Sequence, residues 1–154
     1  MQITVPVTEY TLDELSAERR ELVELARKYT HNAYAPYSHF SVGAAIRLDN
    51  GEIVCGANQE NAAFPSSMCA ERTTAYYAHA TYPDAKFRTI AIAARGTDGK
   101  EQKSPIAPCG ACRQALLEYE TLGGEDVEVL LVGSDEIYRL PSVKSLLPVS
   151  FTGF

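Results

Sequence analysis

Apolar and polar positions along the chain change period several times, and each change marks an element. Leu15, Leu22, Ala26, Tyr29 and Ala33 recur at helical spacing behind a Thr11-Leu12-Asp13-Glu14 capping-box pattern. That helix is expected to end at Ala35-Pro36, where proline disfavours its continuation. Phe40, Val42, Ala44, Ile46 and Leu48 then alternate, as in a half-buried strand. Asp49-Asn50-Gly51 reads as a hairpin turn into a return strand over residues 52–58.

Beyond a loop, Glu60 to Met68, a second helix is predicted from Cys69 through about Ala80. Phe87–Arg95 is a strand with an apolar centre, followed by a polar loop from about Gly96 to Pro108. A third helix is predicted over about Gly110–Tyr119, and the last strands over Val127–Val132 and Ile137–Leu140. The order α-β-β-α-β-α-β-β implies an α/β layered domain with a central mixed sheet of five strands. Residues 1–10 are read as an extension and 11–154 as a single domain.

Composition narrows the setting. The 154 residues are 45% hydrophobic, enough for a full core. No apolar run is long enough to span a bilayer, and the N-terminus lacks the features of a signal peptide. A cytoplasmic location is expected. The net charge is -6, and Lys and Arg are scattered. The densest pair, Arg19 and Arg20, lies on a predicted helix and reads as a solvated face. A nucleic-acid or membrane partner is therefore not expected.

The chemistry sits in the cysteines. Of the four, Cys69 begins Cys-Ala-Glu, and Cys109 and Cys112 lie in Pro-Cys-Gly-Ala-Cys. Each group opens a predicted helix, where unpaired amides and a partial positive charge favour thiolates. The two-residue gap between Cys109 and Cys112 puts both sulfurs on one side of a first turn, and Cys69 can complete a three-sulfur site. Three protein ligands leave a tetrahedral zinc with an open position for water, whereas a structural site takes four. Glu71, two residues from Cys69, is close enough to act as a proton shuttle without being a ligand. A redox pair and a four-sulfur structural zinc are the competing readings. Cys55, the only candidate for a fourth sulfur, reads as a small core residue in a strand.

The chain resembles the small, three-cysteine, homotetrameric cytidine deaminases. The resemblance is carried by AYAPYSHFSVGAA (33–45), GANQENAAF (56–64), CAERT (69–73), PCGACRQ (108–114) and LLPVSF (146–151). It implies a three-layer deaminase fold and one Zn²⁺ per chain, held by Cys69, Cys109 and Cys112. It also implies hydrolytic deamination of cytidine and deoxycytidine to uridine and deoxyuridine, with release of ammonia, in pyrimidine salvage. Glu71 would move protons from the water to the ring and the leaving amine. Asn58 and Glu60 would bind the ribose and Phe40 would pack on the base. Ala70 would also belong to the substrate pocket. Ala62 and Phe64 would line a neighbouring subunit's pocket, and Phe151 would stack on the base across an interface. Arg72 would draw charge from the thiolates and so restore the acidity of the water.

The sequence departs from the family at Gln59, where an apolar residue is usual, and at Phe64, where Tyr is common. Pro65 stiffens the loop after it. A modified cytidine or another aminated nucleoside is the alternative substrate. An editing deaminase of nucleic acid and a non-enzymatic zinc domain are disfavoured by the acidic charge and by Glu71 respectively.

Overall fold

The computed structural model describes residues 1–153. In chain order its main elements are β1 (Thr8–Tyr10), α1 (Ala17–Tyr29), β2 (Ser41–Leu48), β3 (Ile53–Ala57), α2 (Ala70–Thr81), β4 (Phe87–Arg95), α3 (Gly110–Gly123), β5 (Glu128–Val132) and β6 (Ile137–Leu140). They build one mixed sheet in the order β1-β6-β5-β4-β2-β3. Only β4 and β5 run parallel; the other neighbours are antiparallel.

The sheet thus has six strands and not the expected five. The extra strand, β1, comes from the extension, whose Thr8, Glu9 and Tyr10 pair with Arg139, Tyr138 and Ile137. Three residues are too short to display a period, so the pattern gave no sign of it.

The alternation along β2 and β4 sorts large and small side chains onto opposite faces. On one face Ala45, Ala91 and Ala93 leave room for α1, which buries Leu22, Val23 and Ala26 against them and against Leu130 and Val132. On the other, Ile46, Ile90, Ile92, Val129 and Leu131 meet Ala75 and Ala78 of α2 and Leu116 and Leu117 of α3. The result is three layers, helix–sheet–helices. Gly56 marks a close approach in the second layer, because a Cβ there would stand 2.5 Å from Thr74 Oγ1 of α2.

Three helix boundaries differ from expectation. α1 ends at Tyr29, short of Ala35-Pro36, because the chain tightens into a 3₁₀ turn over Thr30–Asn32 and is extended by Ala33. The Thr11–Glu14 pattern forms, with Thr11 N donating to the Glu14 carboxylate at 2.9 Å, but it closes a separate 3₁₀ turn over Leu12–Glu14. α1 is capped instead by Ser16, whose hydroxyl accepts from Arg19 N at 3.3 Å. α3 runs one turn past Tyr119 and stops at Gly124, which adopts φ 67° and donates back to the Glu120 and Thr121 carbonyls. Among the described residues no helix is long and apolar enough to cross a membrane.

Candidate metal centre and substrate groove

One end of the sheet gathers the residues singled out above. The pairing of Ser41 with Arg95 and of Gly43 with Ala57 brings the start of β2, the end of β3 and the end of β4 to the same edge. Phe40 leads into that edge and Asn58 leaves it. The loop after β4 delivers Cys109 to the first turn of α3, and the loop after β3 delivers Cys69 to the first turn of α2.

Cys69 is the N-cap of α2 and Cys109 the N-cap of α3. Cys112 is the third residue of α3, so its side chain lies beside that of the N-cap. The three Sγ atoms lie within 4.8 Å of one another. A Zn–S bond of about 2.3 Å sets sulfurs about 3.8 Å apart in a tetrahedral centre, so the trio fits that ion. Among the described residues no other cluster of three such groups is present. Cys55 is not part of it; it lies half-buried in β3, where burial pushes its thiol up to about 11. It packs against the α1-side core, as expected of a small core residue, and is only partly covered because β3 is an edge strand.

The electrostatics favour a thiolate at Cys69. The Cys112 thiol donating toward Cys69, with help from Arg72, pulls Cys69 down to about 5, and sharing with Cys69 and burial push Cys112 up. Arg72 Nη2 donates to Cys69 Sγ at 3.6 Å. Glu71 is buried, and Cys112 Sγ lies 3.8 Å from Glu71 Oε2. Burial raises the Glu71 carboxyl above its ordinary range. Ala70 is fully buried at the first position of α2, so what it can offer a ligand is its main-chain amide.

The Asn58–Glu60 segment is tied directly to the metal-binding turn. Gln59 exchanges two backbone hydrogen bonds with Met68, at 2.9 and 2.8 Å, and Met68 precedes Cys69. Glu60 accepts from Tyr37 N and Ser38 N, both at 3.0 Å, and from the Ser38 hydroxyl. The Ser38 donors hold its carboxyl below the usual range. Asn58 Oδ1 accepts from Val42 N at 2.8 Å, and its Nδ2 donates to the Phe40 carbonyl at 2.9 Å. Asn58 and Glu60 therefore also shape the turn that presents Phe40, a turn in which His39 takes φ 55°. Gln59 Nε2 reaches the other way, to the Asn32 carbonyl at 3.4 Å.

A groove lined by Tyr37, Ser38, Glu60, Phe64 and Ser67 adjoins this segment. Phe64 packs edge-on against Tyr37, with ring centroids 5.6 Å apart, yet remains 70% exposed. Ala62 is exposed, Phe40 is half-buried, and Phe151 is exposed on the C-terminal segment. Reasoning from the sequence missed the polar grip on that segment. Arg113 donates to the Leu146 carbonyl at 2.9 Å and Gln114 Nε2 to the Phe151 carbonyl at 3.0 Å. The signal available was Arg113-Gln114 directly after the second cysteine of the pair.

Comparison with known proteins points the same way. The family model for the cytidine and deoxycytidylate deaminase zinc-binding region matches residues 16–122. The chain is 37% identical over 135 residues to the cytidine deaminase of Halalkalibacterium halodurans, covering 88% of this chain and 95% of that one. It is similar in structure to the cytidine deaminase of Burkholderia pseudomallei, with a TM-score of 0.71 at 36% identity, across 89% of this chain and 100% of the other. The cytidine deaminase of Mycobacterium tuberculosis aligns with a TM-score of 0.70 at 30% identity, across 90% and 100% of the two chains.

Proposed function

The chain belongs to the cytidine and deoxycytidylate deaminase zinc-binding family, and on that premise we propose that it hydrolyses cytidine and deoxycytidine to uridine and deoxyuridine, releasing ammonia. The observation that carries the reading is the meeting of two helix N-termini, where three cysteine sulfurs converge beside the buried Glu71 carboxylate. Bound zinc supplies the Lewis acidity that makes water a usable nucleophile at neutral pH.

Cys69, Cys109 and Cys112 hold the ion. Glu71 Oε2 takes a proton from the attacking water, then delivers protons to the pyrimidine ring nitrogen and to the departing amine. Its burial excludes bulk water that would otherwise exchange those protons. Arg72 donates to Cys69 and draws off part of the negative charge that three thiolates impose.

Glu60 and Asn58 bind the ribose. Their contacts with residues 37–42 pre-set the carboxylate and amide, so little ordering is left for the substrate to impose. Phe40 packs on the base and the Ala70 amide faces the pocket. Ala62, Phe64 and Phe151 complete the pocket of a neighbouring copy in a homotetramer. The enzyme acts on free nucleosides of the cytoplasmic pool, in pyrimidine salvage.

A deamination panel tests the reading. Cytidine and deoxycytidine should turn over. Cytosine should be poor, because a base without its sugar forgoes the contacts with Asn58 and Glu60 that orient the nucleoside. CMP and a short single-stranded oligonucleotide should also be poor, since a phosphate would approach an acidic protein of net charge -6. A preference for CMP would overturn the assignment of the sugar end, and turnover of the oligonucleotide alone would overturn the substrate class.

A further inference from the structure

α3 does more than present two sulfurs. Arg113 follows Cys112 directly, and its half-buried guanidinium is divided between two segments. Nε donates to the Pro108 carbonyl at 2.8 Å and Nη1 to the Leu146 carbonyl at 2.9 Å. The Pro108 carbonyl belongs to the peptide unit that carries the Cys109 nitrogen. Leu146 ends a 3₁₀ turn over Val143–Leu146, where carbonyls lack partners of their own.

Two more α3 side chains grip the same C-terminal segment. Gln114 Nε2 donates to the Phe151 carbonyl at 3.0 Å. The buried Glu120 carboxylate accepts from Val143 N at 2.7 Å and Lys144 N at 3.1 Å, at the start of the 3₁₀ turn. Of the three, Arg113 also grips the metal-binding turn. Its planar fork fixes the two carbonyls relative to each other, which a lysine ammonium could not do.

We infer that Arg113 is a positioning residue that couples the Pro108–Cys109 turn to the C-terminal segment, and that Gln114 sets where the end of that segment lies. The inference rests on the reading above of Cys109 as a zinc ligand and Phe151 as a residue that stacks on the base. Cys109 is the most exposed of the three cysteines and, as the N-cap, joins α3 through its carbonyl alone, which accepts from Arg113 N at 3.0 Å. The loop before it holds no helix or strand, only an isolated bridge between Arg95 and Glu101, so the orientation of the preceding peptide decides where its sulfur points. The Arg113 bond fixes that peptide only while the segment around Leu146 is seated.

The test uses purified zinc-loaded enzyme. Zinc release into an excess of a colorimetric chelator is followed alongside KM and kcat for cytidine and thermal unfolding, for Arg113→Met, Arg113→Lys and Gln114→Leu. Arg113→Met should release zinc about tenfold faster or more and raise KM. Arg113→Lys, able to reach one carbonyl, should fall between it and the parent, and it carries the test if the Met variant fails to fold. Gln114→Leu should raise KM about two- to tenfold, with kcat and zinc release unchanged. Parental zinc release in the folded Arg113 variants would overturn the coupling. An unchanged KM in Gln114→Leu would overturn the role given to that side chain. The release measurement needs no substrate. A parent enzyme that fails to deaminate cytidine would therefore defeat the proposed function, while the Arg113 coupling would still be decided by the chelator.

Discussion

Glu71 and Cys112 arrive from the first turns of two different helices, and their Oε2 and Sγ atoms lie 3.8 Å apart. The carboxylate is therefore within reach of whatever occupies the space between the three sulfurs, yet it comes from beside Cys69 and not from a fourth ligand position. Glu71→Gln keeps shape and volume and removes only the ability to carry protons. It should retain zinc and fold while losing about 10²–10⁴ in kcat. Metal analysis, unfolding and steady-state kinetics on one preparation give the answer, and near-normal turnover would place the proton shuttle elsewhere.

Arg72 is the nearest cation to the thiolates. Its Nη2 donates to Cys69 Sγ, and its Nε is a buried atom with no hydrogen-bond partner. Replacing it with Gln leaves a polar side chain without the charge. Zinc affinity should fall about 10- to 100-fold, measured by competition with a chelator. Unchanged affinity with unchanged turnover would make Arg72 a bystander.

How much of this was legible beforehand depends on the range of the interactions. The β2–β3 hairpin and the N-caps at Cys69 and Cys109 follow from local periodicity and helix-end chemistry, and the structure has them close to where the pattern puts them. α1 forms where its period is, but shorter at both ends than the pattern suggests, because 3₁₀ turns replace its ends. The cysteine cluster was legible because two separate helix starts each carry their own sulfurs. β1 was not, since its formation depends on pairing with β6, which lies far along the chain. The double use of Asn58 and Glu60 was hidden as well. Their bonds to residues 37–42 arise from the meeting of two loops, and a sequence shows the side chains without showing what else they hold.

Stability should depend on pH through Glu128. Its carboxylate is mostly buried, which alone would raise its pKa, but Arg19 at 2.8 Å and Arg139 at 2.5 Å outweigh burial and lower it. A carboxylate with a depressed folded-state pKa adds stability above its unfolded value of about 4.3 and loses it as pH falls through the folded value. Glu128→Gln should therefore cost about 2 kcal/mol at pH 7, and the gap to the parent should shrink below about pH 4. Denaturant unfolding at both pH values measures it. A gap that widens on acidification would reverse the assigned sign.

Phe64 is 70% exposed, Phe151 68% and Tyr77 63%, an unusual set of aromatics for a small chain to leave facing water. The whole stretch Asn61–Ser66 is exposed as well, although it lies between the Asn58–Glu60 segment and Cys69. A pocket that must exclude water from a hydrolytic centre is poorly closed by one copy of this chain. Neighbouring copies in a homotetramer would cover these surfaces and supply Phe64 and Phe151 to each other's pockets. Phe151→Ala should then raise KM for cytidine about tenfold, since stacking of an aromatic side chain on a base contributes about 1–3 kcal/mol. Phe64→Glu should set a charge in the interface, shift sedimentation toward smaller species and lower activity most at low enzyme concentration. Sedimentation velocity at assay concentration decides between the arrangements. A fully active monomer would return both phenylalanines to roles within a single chain.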